Sequence, residues 1–166
     1  MITNEFIQEQ LQGQFGDAVY GFETHFDVLT FETAKENNLK VLTFLNENAD
    51  LQFNFLNDLT AIHYPDQVGR ELCVVYLLQN MRAGKRIRLK IYTDIQKPDV
   101  FTATALYSTA NWLEREAYDF FGVNFVGHPN LIRIMNTDDM NYFPLRKEFP
   151  LEDQTRIDKD DDMFGR

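Results

Sequence analysis

The sequence predicts a single α+β domain, with a mainly antiparallel or mixed sheet flanked by helices and an extended C-terminal arm. Its 166 residues are the length of one domain. Two segments have the apolar patterns of strands, "ELCVVYLLQ" and "RIRLKIY". Segments with helical spacing of apolar residues lie before and after these strands. We place the domain at residues 1–151 and an acidic, extended or disordered tail at residues 152–166.

The first element is a helix from Thr3 to Phe15, because Ile7, Leu11 and Phe15 recur every four residues and Gly16 follows. The segment "AVYGFETHFDVLTFE" has the alternation of one or two strands. "KENNLKVLTFLNENAD" has helical periodicity, and the side chains predicted on or beside its apolar face are Asn38, Leu39, Leu42, Leu45 and Ala49.

The centre of the chain predicts several strands. "LQFNFLNDLTAIHYPD" is ambiguous and is expected to end in a strand at Thr60–Tyr64. The uninterrupted apolar run "ELCVVYLLQ" is typical of a strand buried on both faces. "RIRLKIY" alternates basic and apolar residues, as in a half-exposed strand. Gly84 in the connection "NMRAGK" favours an antiparallel hairpin between these two strands. "FTATALY" predicts a further strand.

A third helix is predicted at Thr109–Phe121, capped by Ser108 or Thr109 and ended by Gly122 in a left-handed conformation. Helical spacing predicts an apolar face packed on the sheet, formed by Leu113, Ala117, Phe120 and Phe121.

This helix carries more acidic side chains than its single basic side chain can pair with. Arg115 and Asp119 have the i, i+4 spacing of an ion pair, while Glu114 and Glu116 have no partner on the helix. Asp119 also lies near the helix C-terminus, where the macrodipole disfavours an anion. We therefore expect a downstream basic side chain to fold back on the helix, the candidates being Arg133, Arg146 and Lys147.

Two interpretations of these polar residues remain open. Glu114 or Glu116 is a candidate general acid or base, with His128 as a proton shuttle or ligand. The sequence favours a structural alternative, in which the carboxylates belong to an ion-pair network and the His128 ring holds its turn by hydrogen bonds. "NYFPLRKEFPL" is aperiodic, and its prolines indicate an extended strip that docks on a surface.

Composition argues against several classes of function. A net charge of −10 disfavours binding to nucleic acid or anionic lipid. The single cysteine, Cys73, excludes an internal disulfide and a cluster held only by thiolates of this chain. No phosphate-binding glycine motif, zinc spacing or nucleophile elbow is present in the sequence. The start "MITNEFIQEQ" lacks signal-peptide character, so a cytosolic location, or attachment to a membrane through other proteins, is expected.

The segment "WLEREAYDFFGVNFVGHPNLIRIM", followed by "PLRKEFPL", resembles the C subunit of respiratory NADH:quinone oxidoreductase, also called complex I. "FNFLNDLTAIHY" and "RIRLKIY" extend the resemblance over residues 53–151. The positions that carry the motif, or that we assign to an interface from it, are Glu114, Arg115, Glu116, Asp119, Phe120, Phe121, Gly122, Gly127, His128, Pro129, Arg133, Ile134, Pro144, Arg146 and Lys147. The sequence departs from the family pattern at Ile132, Phe143 and Glu148.

The resemblance implies a non-catalytic structural subunit in the hydrophilic arm of a proton-pumping complex. In that family the flavin (FMN), the iron–sulfur clusters and the quinone belong to partner subunits. The implied partners are the quinone-site (D-type) subunit and the iron–sulfur (B- and I-type) subunits. The implied location is peripheral, on the cytoplasmic side of the bacterial inner membrane. Two alternatives remain: an equivalent scaffold subunit of a membrane-bound hydrogenase-type complex, and a stand-alone acid–base enzyme.

Overall fold

The computed structural model describes residues 2–149. Within them it has three α-helices and seven strands. The helices are α1 (Asn4–Phe15), α2 (Asn38–Glu47) and α3 (Ala110–Phe121). The strands are β1 (Val19–His25), β2 (Val28–Ala34), β3 (Phe55–His63), β4 (Leu72–Gln79), β5 (Arg86–Thr93), β6 (Asp99–Phe101) and β7 (Asn124–Val126). The predicted acidic tail at residues 152–166 lies outside the described residues, as do Pro150 and Leu151 of the predicted strip.

The main sheet has five strands in the order β1-β2-β5-β4-β3. Its neighbours are antiparallel except for β2 and β5, which are parallel. This mixed sheet flanked by helices confirms the predicted fold class. A second sheet consists of the short parallel strands β6 and β7. None of the helices in residues 2–149 has the length and apolar character needed to cross a bilayer.

The β4–β5 hairpin forms as predicted, but β4 is not buried on both faces. Leu72, Val74, Tyr76 and Leu78 are buried on one face, whereas on the other face Cys73 is buried but Val75 and Leu77 are only half-buried. Val75 and Leu77 are paired with Lys90 and Arg88 of β5, which keep that side of the sheet partly in contact with water. The other side packs under helices: the Tyr76 ring lies close to Asn38 of α2 and Glu114 of α3.

Three other sequence predictions need correction. The α2 helix buries Val41 with Asn38, Leu42 and Leu45, while Leu39 and Ala49 are exposed. The ambiguous segment forms a longer strand than expected, beginning at Phe55. Thr109 does not cap α3 through its side chain, because its hydroxyl donates to the Leu56 carbonyl instead.

The predicted strand "FTATALY" is also wrong, since only Phe101 of this segment belongs to a strand. The chain turns after Thr102, where the amides of Leu106 and Tyr107 both donate to the Ala103 carbonyl. The Glu114 carboxyl accepts a hydrogen bond from the Ala103 amide at 2.7 Å and contacts the Thr102 hydroxyl at 2.5 Å. A side chain from α3 therefore takes the place of a neighbouring strand.

Candidate functional site

The candidate site is built on α3 and on the irregular segment that follows β7, which we call the strap (residues 131–149). The predicted apolar face of α3 is only partly right. Ala117 is buried, and Leu113 and Phe121 are half-buried against the core. The buried polar side chains on this helix are those of Glu114, Arg115 and Asp119, whereas Glu116 is exposed.

Asp119 is the centre of the contact between α3 and the strap. Its Oδ2 accepts hydrogen bonds from three consecutive backbone amides, those of Ile134, Met135 and Asn136, at 2.7 to 3.0 Å. Its Oδ1 accepts from Arg133 Nη1 and from the Asn136 side chain. Burial alone would raise the pKa of Asp119, but the donors from Asn136, Met135 and Arg133 outweigh it and hold that pKa far below its ordinary value. This carboxylate is therefore charged and fully satisfied.

Arg133 confirms the prediction that a basic side chain folds back on the helix. Its Nη1 lies 2.7 Å from Asp119 Oδ1 and 2.9 Å from the Asp119 carbonyl oxygen. Its Nη2 donates to the carbonyls of Met140 and Tyr142 farther along the strap. One guanidinium thus ties the C-terminal end of α3 to both halves of the strap, in the planar geometry that suits arginine.

The predicted Arg115–Asp119 ion pair does not form, because the strap and Arg133 occupy the Asp119 carboxylate. Arg115 donates instead to the carbonyl oxygens of Ile132 and Arg133. Its guanidinium also lies 4.8 Å from the centre of the Trp112 ring. Arg115 therefore binds the strap backbone directly.

The end of α3 is closed by a glycine and an arginine. Gly122 has φ +77° and ψ 27°, the left-handed C-terminal conformation predicted from the sequence. Arg146 Nε donates to the Phe121 carbonyl at 2.7 Å, which satisfies a free carbonyl at the helix end. The Phe143 ring lies beside the Arg146 and Arg133 guanidinium groups, and a Cβ added to Gly122 would meet this ring at 2.5 Å. The strap can pack here only because residue 122 has no side chain.

His128 holds the turn between β7 and the strap. Its Nδ1 accepts from the Asn130 amide at 3.0 Å, so the proton is on Nε2, which donates to the Asn111 carbonyl at 3.0 Å. Gly127, at φ +86°, and the exposed Pro129 flank it. The hydrogen-bonded turn expected from "GHP" is confirmed.

His63 is a contact residue that the sequence did not reveal. Its ring is buried, and Nδ1 accepts from the Lys147 amide at 2.9 Å. Lys147 therefore contributes its backbone, while its side chain is exposed. Glu148 also lies near, with its carboxylate 3.5 Å from the His63 ring. A separation of 84 residues leaves no sequence signal for this contact.

Glu114 is the second buried carboxyl on α3, and its surroundings differ from those of Asp119. It accepts from the Ala103 amide and contacts the Thr102 hydroxyl, but within residues 2–149 no cationic side chain lies within ion-pair distance of it. Burial raises the pKa of Glu114 to about 7, although the hydrogen bonds from Thr102 and Ala103 act in the opposite direction. Glu114 fastens the 102–109 segment to the helix.

Three features of the structure concern the candidate acid–base residues Glu114, Glu116 and His128. Glu114 is 0% exposed, so a substrate cannot reach it in this conformation. Both ring nitrogens of His128 are engaged by the backbone. A surface groove of about 720 Å³ is lined from α1, α2 and β6 by residues such as Phe15, Phe44 and Phe101. The three candidate catalytic residues therefore do not converge on this groove.

The exposed surface over the same network is mixed, with apolar side chains among polar ones such as Asp138, Asp139 and Lys147. α3 and the strap expose a set of large hydrophobic side chains: Trp112, Ile132, Met135, Tyr142, Leu145 and Phe149. Their backbone is held from beneath by Arg115, Asp119, Arg133 and Arg146. We call these exposed side chains the apolar strap surface. A rigid backbone that presents apolar side chains is suited to contact with another protein.

Known structures resemble this fold. A trypsin-resistant fragment (1–134) of Nqo5 has a TM-score of 0.64 and 29% identity, and the match covers 76% of this chain and 98% of that fragment. A chain of the membrane-bound sulfane sulfur reductase, an archaeal respiratory membrane complex, has a TM-score of 0.73 and 25% identity. That match covers 89% of this chain and 85% of the other.

Sequence relatives agree with the structural neighbours. The C subunit of NADH-quinone oxidoreductase from Citrifermentans bemidjiense is 40% identical over 156 residues, 94% of this chain and 95% of that protein. The C subunit of the same enzyme from Mycobacterium ulcerans is 38% identical over 138 residues, and the match spans 58% of its length. The sequence profile of the respiratory-chain NADH dehydrogenase 30 kDa subunit matches residues 31–155. This chain belongs to the family of the 30 kDa subunit of respiratory-chain NADH dehydrogenase.

Proposed function

We propose that this chain is a non-catalytic structural subunit of an NADH-quinone oxidoreductase, and that it acts by presenting the apolar strap surface to partner subunits. Membership of the family supports a place in that complex. The observation that carries the structural role is the Asp119 network. It uses buried charge to fix an irregular segment whose large side chains face outward.

The partners we propose for this surface are the quinone-site (D-type) subunit and the iron–sulfur (B- and I-type) subunits of the same complex. In this proposal FMN, the iron–sulfur clusters and the quinone are held by the partners, and the chain lies peripherally on the cytoplasmic side of the inner membrane. Two features favour a role in assembly. The polar groups of α3 and the strap hold backbone, and six large apolar side chains are left exposed beside them.

The test compares two exposed methionines. Met135 is 67% exposed on the strap, and Met81 is 59% exposed on the β4–β5 turn. The full chain carrying Met135→Asp or Met81→Asp is expressed with its complex, and the complex is purified through a tag on the chain. Burial of a methionine at an interface contributes about 1.5–3 kcal/mol, so Met135→Asp is expected to weaken subunit retention at least tenfold. Met81→Asp is expected to retain the partners.

Mass spectrometry of the retained proteins and NADH–quinone turnover of the membranes are the two measurements. Equal retention in both variants would contradict the assignment of the interface. Loss of turnover in Glu116→Gln, with every partner still bound, would favour the acid–base enzyme instead.

The second candidate is an equivalent scaffold in a membrane-bound hydrogenase-type complex. The likeness to a chain of another respiratory membrane complex, the sulfane sulfur reductase, supports it only as a related scaffold. The same mass spectra separate the two. Recovery of the NADH-oxidising subunits supports the first proposal, and recovery of hydrogenase-type subunits supports the second.

A further inference from the structure

We propose that Glu114 is a proton-binding site of the folded chain: a neutral carboxylic acid that donates to the Thr102 hydroxyl, and whose ionisation loosens the joint between α3 and the 102–109 segment. The inference goes beyond the role of the chain in a complex. It rests on the contacts of one buried side chain.

The comparison with Asp119 shows what Glu114 lacks. Both carboxyl groups are buried on α3, five residues apart. Asp119 receives five hydrogen bonds, one of them from the guanidinium of Arg133. Glu114 has one amide donor, from Ala103, and one hydroxyl contact, with Thr102. A buried carboxylate without a cation is strongly disfavoured, and such groups take up a proton instead.

The hydroxyl of Thr102 provides an acceptor for that proton. It has one hydrogen but two oxygen partners, Glu114 Oε2 at 2.5 Å and Thr104 Oγ at 3.0 Å. With Glu114 neutral, its O–H donates to Thr102, and Thr102 donates to Thr104. When Glu114 ionises, the proton leaves for solvent, the Thr102 hydroxyl turns to donate to the carboxylate, and the Thr104 hydroxyl turns to donate to Thr102. Both forms satisfy these contacts, so the buried charge separates them: the ionised form leaves it without a cation within residues 2–149.

The neighbouring groups do not supply a compensating charge. From the sheet, the Tyr76 ring is fully buried, and its hydroxyl has no hydrogen-bond partner among residues 2–149. Burial is the main cause that raises the pKa of Tyr76, and the charge of Glu114 raises it further. The negative charge of an ionised Glu114 would therefore also affect the buried hydroxyl oxygen of Tyr76. The other titratable groups on the packed elements and on α3 are exposed, packed or bound elsewhere: Asp58, His63, Asp99, Tyr107, Arg115, Glu116, Tyr118 and Asp119.

The consequence for stability has a definite sign. The pKa of Glu114 is raised from an ordinary 4.5 to about 7 by burial, so the folded chain holds this proton where the unfolded chain has lost it. The contribution is complete below pH 4.5 and is lost as the pH rises through about 7. The joint that positions the base of α3 thus titrates in the physiological range.

The experiment is a ¹³C NMR titration of the side-chain carboxyl carbons of glutamate in the full-length chain. One glutamate carbon is expected to titrate near pH 7. It should be absent from Glu114→Gln, whose amide can donate to Thr102 and accept from Ala103. The matched control Glu116→Gln, exposed on the same helix, should leave this titration unchanged.

Thr102→Val provides a second readout. It removes a partner from both forms of Glu114, but the hydrogen bond to the charged carboxylate is the stronger one, so the midpoint is expected to move to higher pH. If Glu114→Gln fails to fold, through-bond assignment of the wild-type carbon replaces it. Titration of Glu114 at the ordinary value of about 4.3, or persistence of the high midpoint in Glu114→Gln, overturns the proposal.

Discussion

Replacing Asp119 by asparagine separates the charge of this side chain from its size. Oδ2 faces three amide donors, so the asparagine oxygen has to take its place. The new NH₂ group then faces Arg133 Nη1 and the Asn136 side-chain nitrogen, where the carboxylate oxygen lay 2.7 Å and 3.0 Å away. Donors meet donors, and the buried Arg133 guanidinium loses its counter-charge.

The cost follows from the burial of the pair. The side chains of Asp119 and Arg133 are 0% and 9% exposed, and removing one partner of a buried ion pair costs about 3–5 kcal/mol. If the strap opens locally, this cost corresponds to roughly a 10²–10³-fold loss of protection against hydrogen exchange. We expect it at the amides of Ile134, Met135 and Asn136.

Hydrogen exchange of the full-length chain, read by NMR at single amides, checks this prediction, and urea unfolding gives the global free energy. Glu116→Gln removes the same formal charge from an exposed position of the same helix, and is expected to change neither quantity by more than about 0.5 kcal/mol. Unchanged protection at the three amides in Asp119→Asn would mean that the carboxylate does not hold the strap.

Two further predictions concern the same contact. Gly122→Ala is expected to destabilise the chain by more than the ~1–2 kcal/mol of a left-handed alanine, because its Cβ would also displace Phe143. Gly13→Ala, in open space on α1, should stabilise by up to ~1 kcal/mol, and thermal unfolding compares the two. Acid should release the wild-type strap. The pKa of Asp119 is depressed, so its stabilisation is complete above an ordinary value of about 3.9 and falls below it. Exchange protection that stays constant down to about pH 2 would contradict this account.

The fold could be predicted where the pattern of apolar and polar residues within one segment determines its structure. The alternation in "RIRLKIY" predicted β5 correctly, because period-2 burial is written in the strand itself. The strand predicted at "FTATALY" does not form because Glu114, a residue of α3, accepts a hydrogen bond from the Ala103 amide there. The parallel pairing of β2 with β5 leaves no mark in either segment, since the same burial pattern suits both directions.

In the candidate site, too, some contacts could be predicted from the sequence and others could not. Excess acid on α3 predicted that Arg133, Arg146 or Lys147 would fold back, because unbalanced charge is visible in the sequence. The two arginines do so, while the Lys147 side chain is exposed. The three strap amides that bind Asp119 were not foreseen, since every residue but proline carries the same N–H. The His63 contact was missed for a similar reason: its donor is the backbone of Lys147.

The parallel pairing of β2 with β5 also affects the order in which the chain assembles during synthesis. Leu29 pairs with Ile87, more than a third of the chain later. Until β5 has left the ribosome, the β1–β2 ribbon has an unpaired inner edge carrying Phe31, a residue that is fully buried in the end. β3 and β4 can pair earlier, but they cannot cover that edge. The N-terminal ribbon is therefore the part of the nascent chain that most needs protection from aggregation.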